Sequence, residues 1–103
     1  MSSRRFKEKT RAATYKLAVS EGDVRDRLKS AYWYLRQISE GEIPAEYKLE
    51  FDGILNSLTR KGPLVDPSGD VIRKPIDNTL ASMRNSTGRK IADRIFRLNS
   101  ALD

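Results

Sequence analysis

Apolar residues in this chain return every third or fourth position, and that recurrence is its strongest constraint on fold. Over residues 23–41 (DVRDRLKSAYWYLRQISEG), Val24, Leu28, Ala31, Leu35 and Ile38 fall on one helical face. Asp23 is a suitable N-cap and Gly41 a suitable end signal. In IPAEYKLEFDGILNSLTRKGP, Pro44 suits a first helical position, Tyr47, Phe51, Ile54 and Leu58 form the stripe, and Gly62-Pro63 stop it. The segment from Arg5 to Ser20 has a thinner stripe of Phe6, Ala13 and Leu17.

The last segment carries the longest stripe: Ile76, Leu80, Met83, Thr87, Ile91, Ile95, Leu98 and Leu102. Its phase runs unbroken through NSTG, so one helix from 77 to 102 is the economical expectation. Gly88 inside it costs about 1 kcal/mol relative to alanine. The rival reading breaks the chain and caps a second helix with Ser86 or Thr87. That places Arg89 and Lys90 in a first turn, opposed to the helix dipole by about 0.3–1 kcal/mol each unless an anion binds there. The stretch lacks the spacing of a phosphate-binding loop, and the continuous helix is preferred.

Between the third and last helices, GPLVDPSGDVIRKP sets Leu64-Val65 and Val71-Ile72 around a DPSGD turn, compatible with a short hairpin or an irregular loop. The expected fold is therefore all-α: a single helical domain over 1–103, a small four-helix bundle-like arrangement. Its helices run over 5–20, 23–40, 44–61 and 77–102, with a hairpin or loop over 63–75 and a disordered basic tail over 1–4. Leu28, Leu35, Ile38, Phe51, Ile54, Leu58, Leu80, Ile91, Ile95 and Leu98 form the expected core. The last stripe outruns the other three helices, a hint of dimerisation through its end. A helix ending in LNSLTRKG before PLVDPSGDVIRK also has the cadence of the last helix and wing of a winged helix. Glu46, Glu50 and Asp52 against Lys48 give that would-be recognition helix the wrong sign for a DNA groove.

Chemistry is bounded by what the sequence lacks. There is no cysteine and no histidine, which removes disulfides, thiolate zinc sites and Cys–His or Ser–His nucleophile pairs. No cofactor loop is recognisable, and the expectation is a protein that is not an enzyme, with no cofactor and no metal. Asp66, Ser68, Asp70 and Asp77 match positions 1, 3, 5 and 12 of a calcium loop. Val71 stands where that loop needs glycine, and an aspartate replaces the bidentate glutamate. Glu42, Glu46 and Glu50 lack a histidine to complete a di-metal motif and read as a solvated face. No apolar run approaches the roughly 20 residues of a membrane span, and the basic start MSSRRFKEKTR is not followed by the apolar stretch of a signal peptide. The expected protein is soluble and cytoplasmic.

Charge supplies the functional reading. The net charge of +6 is uneven. Residues 1–20 carry six basic side chains against one acidic and residues 84–103 five against two, whereas the middle carries nine against eleven. If the terminal helices lie side by side, they form one patch for an anionic partner, nucleic acid or a nucleoprotein. Arg4, Arg5, Lys7, Lys9 and Arg11, joined by Arg89, Lys90, Arg94 and Arg97, would supply the phosphate contacts. Mere solubility is the competing explanation of the same charge.

Trp33, in the triplet Tyr32-Trp33-Tyr34, points almost opposite the apolar stripe of its own helix, among Asp26, Lys29, Ser30 and Gln37. Covering by the protein's own chain is the expectation, and burial against a second copy comes next. Exposure would suit a protein interface or base stacking. The functional expectation is thus a non-enzymatic module whose basic ends dock nucleic acid or a nucleoprotein. The alternative is a protein–protein adaptor or homodimer using Trp33 and apolar helix faces.

Overall fold

The computed structural model describes residues 3–102. In chain order they form α1 (Arg4–Val19), α2 (Val24–Leu35), α3 (Lys48–Leu58), β1 (Leu64–Val65), β2 (Val71–Arg73), α4 (Pro75–Ala81) and α5 (Asn85–Ala101). The fold is all-α with one short hairpin, as the periodicity predicts, but with five helices among the described residues where four were expected. Of the tail expected over 1–4, residues 1 and 2 lie outside the described residues, Ser3 precedes α1, and Arg4 opens it.

α1 and α2 form an antiparallel helix pair. Gly22, at φ +96°, supplies the left-handed backbone that turns the chain, and Asp23 then caps α2. Its Oδ1 accepts from the N–H groups of Arg25 (2.9 Å) and Asp26 (3.2 Å), while the Asp26 carboxylate accepts from the Asp23 N–H at 3.1 Å. This reciprocal box satisfies donors that a helix start leaves free.

α2 stops at Leu35 rather than near 40, and α3 occupies 48–58 rather than 44–61. Local side-chain bonds compete with the helix at these ends. Ser39 N–H donates to Glu42 Oε1 at 2.8 Å and initiates a 3₁₀ turn over Glu40–Glu42. Pro44 precedes a second 3₁₀ turn, Ala45–Tyr47, instead of opening α3 itself. At the other end, Thr59 Oγ1 donates back to the Leu55 carbonyl at 2.8 Å. Ile38 stays buried although it lies beyond α2.

The largest departure is in the last segment. The continuous helix over 77–102 does not form: α4 begins earlier, at Pro75, the chain leaves helical geometry at residues 82–84, and α5 starts afresh at Asn85. The rival cap also fails, because the N-cap is Arg84, without a side-chain cap bond, and Ser86 and Thr87 lie inside α5. Arg89 and Lys90 consequently sit in the second turn, and the conflict with the dipole does not arise. Thr87 is exposed, and Gly88 takes the buried position in its place. The stripe slips by one residue at the break.

That break is what lets the segment serve two neighbourhoods. α4 packs on α2 and α3, while α5 contacts α1, α2 and α3 and is the hub of the core. The excess stripe length that hinted at dimerisation is used up inside one molecule. Every expected core residue is buried, joined by Phe6, Ala13, Ala31, Ile76, Met83 and Leu102. Phe6 meets Phe51 edge-on at 5.6 Å and stacks near Tyr47 at 6.3 Å, closing one end of the bundle. Tyr47 also donates its hydroxyl to the Ala101 carbonyl at 3.1 Å.

The hairpin pairs β1 with β2 antiparallel, and all five of its strand residues are exposed. Its base is held by α4: Asn78 Nδ2 donates to the Gly62 carbonyl, and Thr79 Oγ1 accepts from the Lys61 N–H, both at 3.1 Å. DPSGD forms its turn. Asp66 Oδ1 accepts from the N–H groups of Ser68 and Asp70, and Asp77 is drawn away to Lys29 at 2.6 Å.

Gly88 lets α5 pack tightly on α2: a Cβ there would stand 2.9 Å from Val24 Cγ1 and 3.4 Å from Leu28 Cδ1. Gly88→Ala gains helix propensity of about 1 kcal/mol but overpacks a stiff β-branched neighbour at a cost of about 1–3 kcal/mol. Denaturant unfolding should show a net loss of about 1 kcal/mol, turning neutral or favourable in a Val24→Ala background. A second expectation concerns Thr10, fully buried with no hydrogen-bond partner for Oγ1 among the described residues. Thr10→Val should raise stability by about 1 kcal/mol, since an unsatisfied buried hydroxyl costs about 1–3 kcal/mol. A lower melting temperature for Thr10→Val would contradict it.

Candidate nucleic-acid interface

The terminal helices do lie side by side. Lys7, near the start of α1, shares a cavity with Leu102, and Thr14, Leu17 and Ala18, toward its end, share a groove of about 410 Å³ with Arg89, Ala92 and Phe96. α1 and α5 are therefore antiparallel neighbours. Because buried Phe6, Thr10 and Ala13 fix the inner side of α1, and Gly88, Ile91, Ile95 and Leu98 that of α5, the cations between them are pushed outward.

The nine predicted cations divide by what they touch. Arg5 leans toward the turn after α2, with Nε 3.0 Å from Glu42 Oε2 and Nη2 donating to the Gln37 carbonyl at 3.1 Å. Lys9 donates to Gln37 Oε1 at 2.9 Å and lies 5.7 Å from the centre of the Tyr34 ring. Arg94 faces α3, donating to Glu50 at 2.8 Å and to Ser57 Oγ at 3.3 Å, over a slot kept open by Gly53. These three are tied into the fold. Arg4 and Arg97 make exposed pairs one turn along their own helices, with Glu8 at 3.0 Å and Asp93 at 2.7 Å. Such pairs are worth about 0.2–0.5 kcal/mol and are readily exchanged for a phosphate. Arg11 is exposed on the outer side of α1. Lys7, Arg89 and Lys90 are exposed, and their side chains make no ion pair or hydrogen bond among the described residues.

Two aromatic residues that the sequence reading passed over stand on the same two helices. Tyr15 on α1 is 62% exposed and Phe96 on α5 is 58% exposed, the latter in the groove with Arg89. The available signal was their position off the apolar stripes, beside basic residues.

Trp33 is 58% exposed, so the expectation that the chain covers it is overturned. Among the described residues, α2 packs on α1, α4 and α5, and these contacts leave the Trp33 side of the helix exposed. The Arg36 guanidinium sits 5.6 Å from the indole centre. A groove of about 530 Å³ surrounds the ring, with Lys16, Lys29, Arg36 and Lys74 in its lining against Asp26 and Asp77.

Several carboxylates are held below their ordinary range by structural partners. For Asp23 the side-chain bond to Arg25 is the largest cause, followed by the Asp26 N–H, and the same contact raises Arg25. The Ser39 N–H leads for Glu42, with Arg5 assisting. Asp66 is lowered first by the Ser68 hydroxyl, and Lys48 is raised by Glu40 and then Asp52. All serve caps, turns or surface pairs. Among the described residues no three acidic side chains converge as a metal site would need.

A carboxylate with a depressed folded-state pKa stabilises fully above its unfolded value and loses that contribution as pH falls through the folded value. The Asp23 and Glu42 contributions should therefore be intact above about pH 5, begin to fall as pH drops through the ordinary carboxylate range, and vanish only below their depressed folded values. Melting curves from pH 6 to 2 should show a smaller acid-induced loss for Asp23→Asn/Glu42→Gln than for the unaltered chain. No family model, no curated protein and no solved structure matches this chain.

Proposed function

We propose that this protein is a non-enzymatic module that binds nucleic acid through the outer surface of the α1–α5 pair. The observation that carries the reading is the packing of the two basic ends against each other. Lys7, Arg11, Arg89 and Lys90 are exposed on this pair, Arg4 and Arg97 make exposed one-turn pairs, and Tyr15 and Phe96 are exposed among them. Cations spread along two rods suit a phosphate backbone, where each neutralised phosphate releases condensed counterions. The interleaved rings add faces on which bases or sugars can rest. Arg5, Lys9 and Arg94 leave the contact set because their charge is already spent on neighbouring elements.

A protein–protein adaptor or homodimer is the second reading. It is favoured by Trp33 and by Leu64, Val65, Val71 and Ile72 on the hairpin, all exposed. Sedimentation across a hundredfold range of protein concentration separates the two, since only the second requires self-association or a protein partner.

Fluorescence anisotropy with labelled DNA and RNA should give affinity that falls with salt at a log–log slope of about −4 to −5, the value for roughly six phosphate contacts. Lys7→Glu/Arg89→Glu/Lys90→Glu should weaken binding and make the slope shallower by about two to three. Arg94→Met should lower the melting temperature through the lost α3 contact yet leave the slope unchanged. Binding that ignores salt, or none at low ionic strength, would remove the reading.

A further inference from the structure

We infer that the groove around Trp33 is a seat for an unpaired base, which makes the nucleic acid recognised by this protein single-stranded; this rests on the nucleic-acid reading above. The indole is the chain's one tryptophan, and it stands proud of α2 directly opposite the buried Leu28, Ala31 and Leu35. The ring is not part of the hydrophobic core, and more than half of it is open to solvent.

The lining decides between possible occupants. A tryptophan that anchors a protein partner sits within a ring of other apolar side chains that exclude water. Here Tyr32, Tyr34 and Ile76 share the lining with Lys16, Lys29, Arg36 and Lys74 against Asp26 and Asp77, so aromatic faces are joined to a surplus of positive charge, with Lys29 bound to Asp77. Lys16 on α1, Arg36 just past α2 and Lys74 just before α4 then outnumber Asp26 in the lining. Arg36 occupies one side of the indole by a cation–π contact, and a base stacked on the ring would place its phosphates among Lys16, Arg36 and Lys74. A volume of about 530 Å³ lies within the range that small ligands fill. A duplex cannot use this seat, since its bases are already stacked on each other.

The sole tryptophan is its own reporter. Titration of the full chain with an oligodeoxythymidylate of about ten nucleotides should quench Trp33 emission saturably, while an equal-length duplex leaves it unchanged. Trp33→Ala should weaken single-strand binding, followed by anisotropy, roughly 5- to 150-fold, and Trp33→Phe should stay within about threefold of the parent. Equal affinity for single strand and duplex with no quenching and no effect of Trp33→Ala would overturn the inference. The binding-module reading would survive that result if the Lys7/Arg89/Lys90 reversal still weakened binding and made the salt slope shallower. Failure to bind any nucleic acid at low salt overturns both. An emission blue shift that depends on protein concentration alone would assign the ring to a contact between copies, and the inference would fall.

Discussion

The close approach of α5 to α2 at Gly88 is the contact on which the arrangement depends. α5 touches α1, α2 and α3, so its seating fixes the bundle. A helix can be drawn in that far only where it presents no side chain, and Gly88 presents none to Val24 and Leu28. The conformational cost of glycine in a helix is offset by burial of Ile91, Ile95 and Leu98 along the same side. Once α5 is seated, the side chains off its buried stripe have fixed destinations. Arg94 must meet α3, Phe96 must border α1, and Lys90 must face water.

That geometry separates structural charge from available charge. An arginine reaching a neighbouring helix, as Arg94 reaches Glu50 and Ser57, loses freedom and donors to the fold. A cation on the outer side keeps its full hydration and its capacity for a partner, and this holds for Lys7, Arg89 and Lys90. Net charge alone cannot make the distinction, since both kinds count equally toward +6. Among the described residues, cations without a side-chain partner also stand elsewhere, as at Arg60, Lys61, Arg73 and Lys74, so what distinguishes the helix pair is that basic side chains from both ends of the sequence meet there.

Much of this was legible in the residues. Period-3.6 stripes located the helices and the core, because burial of one face is enforced residue by residue. The ends were misplaced where Ser39, Glu42 and Thr59 offered the backbone alternative partners. Those bonds are worth about 1 kcal/mol each and leave the periodicity unchanged. The break before α5 was hidden by one residue: Thr87 extended the stripe in phase and masked the slip to Gly88. Trp33 was misjudged for a different reason. Its direction was readable from the helix, but whether another element covers it is a matter of tertiary path. The same limit applied to the cations, whose positions the helical pattern gave but whose partners across α3 and the 39–42 turn it did not.

The two candidate surfaces follow from a shared economy of the bundle. A chain of 103 residues has few apolar side chains to spare, and this one sets Trp33, Tyr15 and Phe96 outside the core while filling the core with aliphatic residues, alanines, Phe6 and Phe51. Large aromatics contribute most per residue to burial, so leaving three of them exposed forgoes stability that a small domain needs. Each exposed ring also stands near cations: Arg36 against Trp33, Arg89 in the groove with Phe96, and Arg11 one helical turn before Tyr15. Rings and positive charge placed together on the outside are poor material for a core and good material for stacking bases against a phosphate chain.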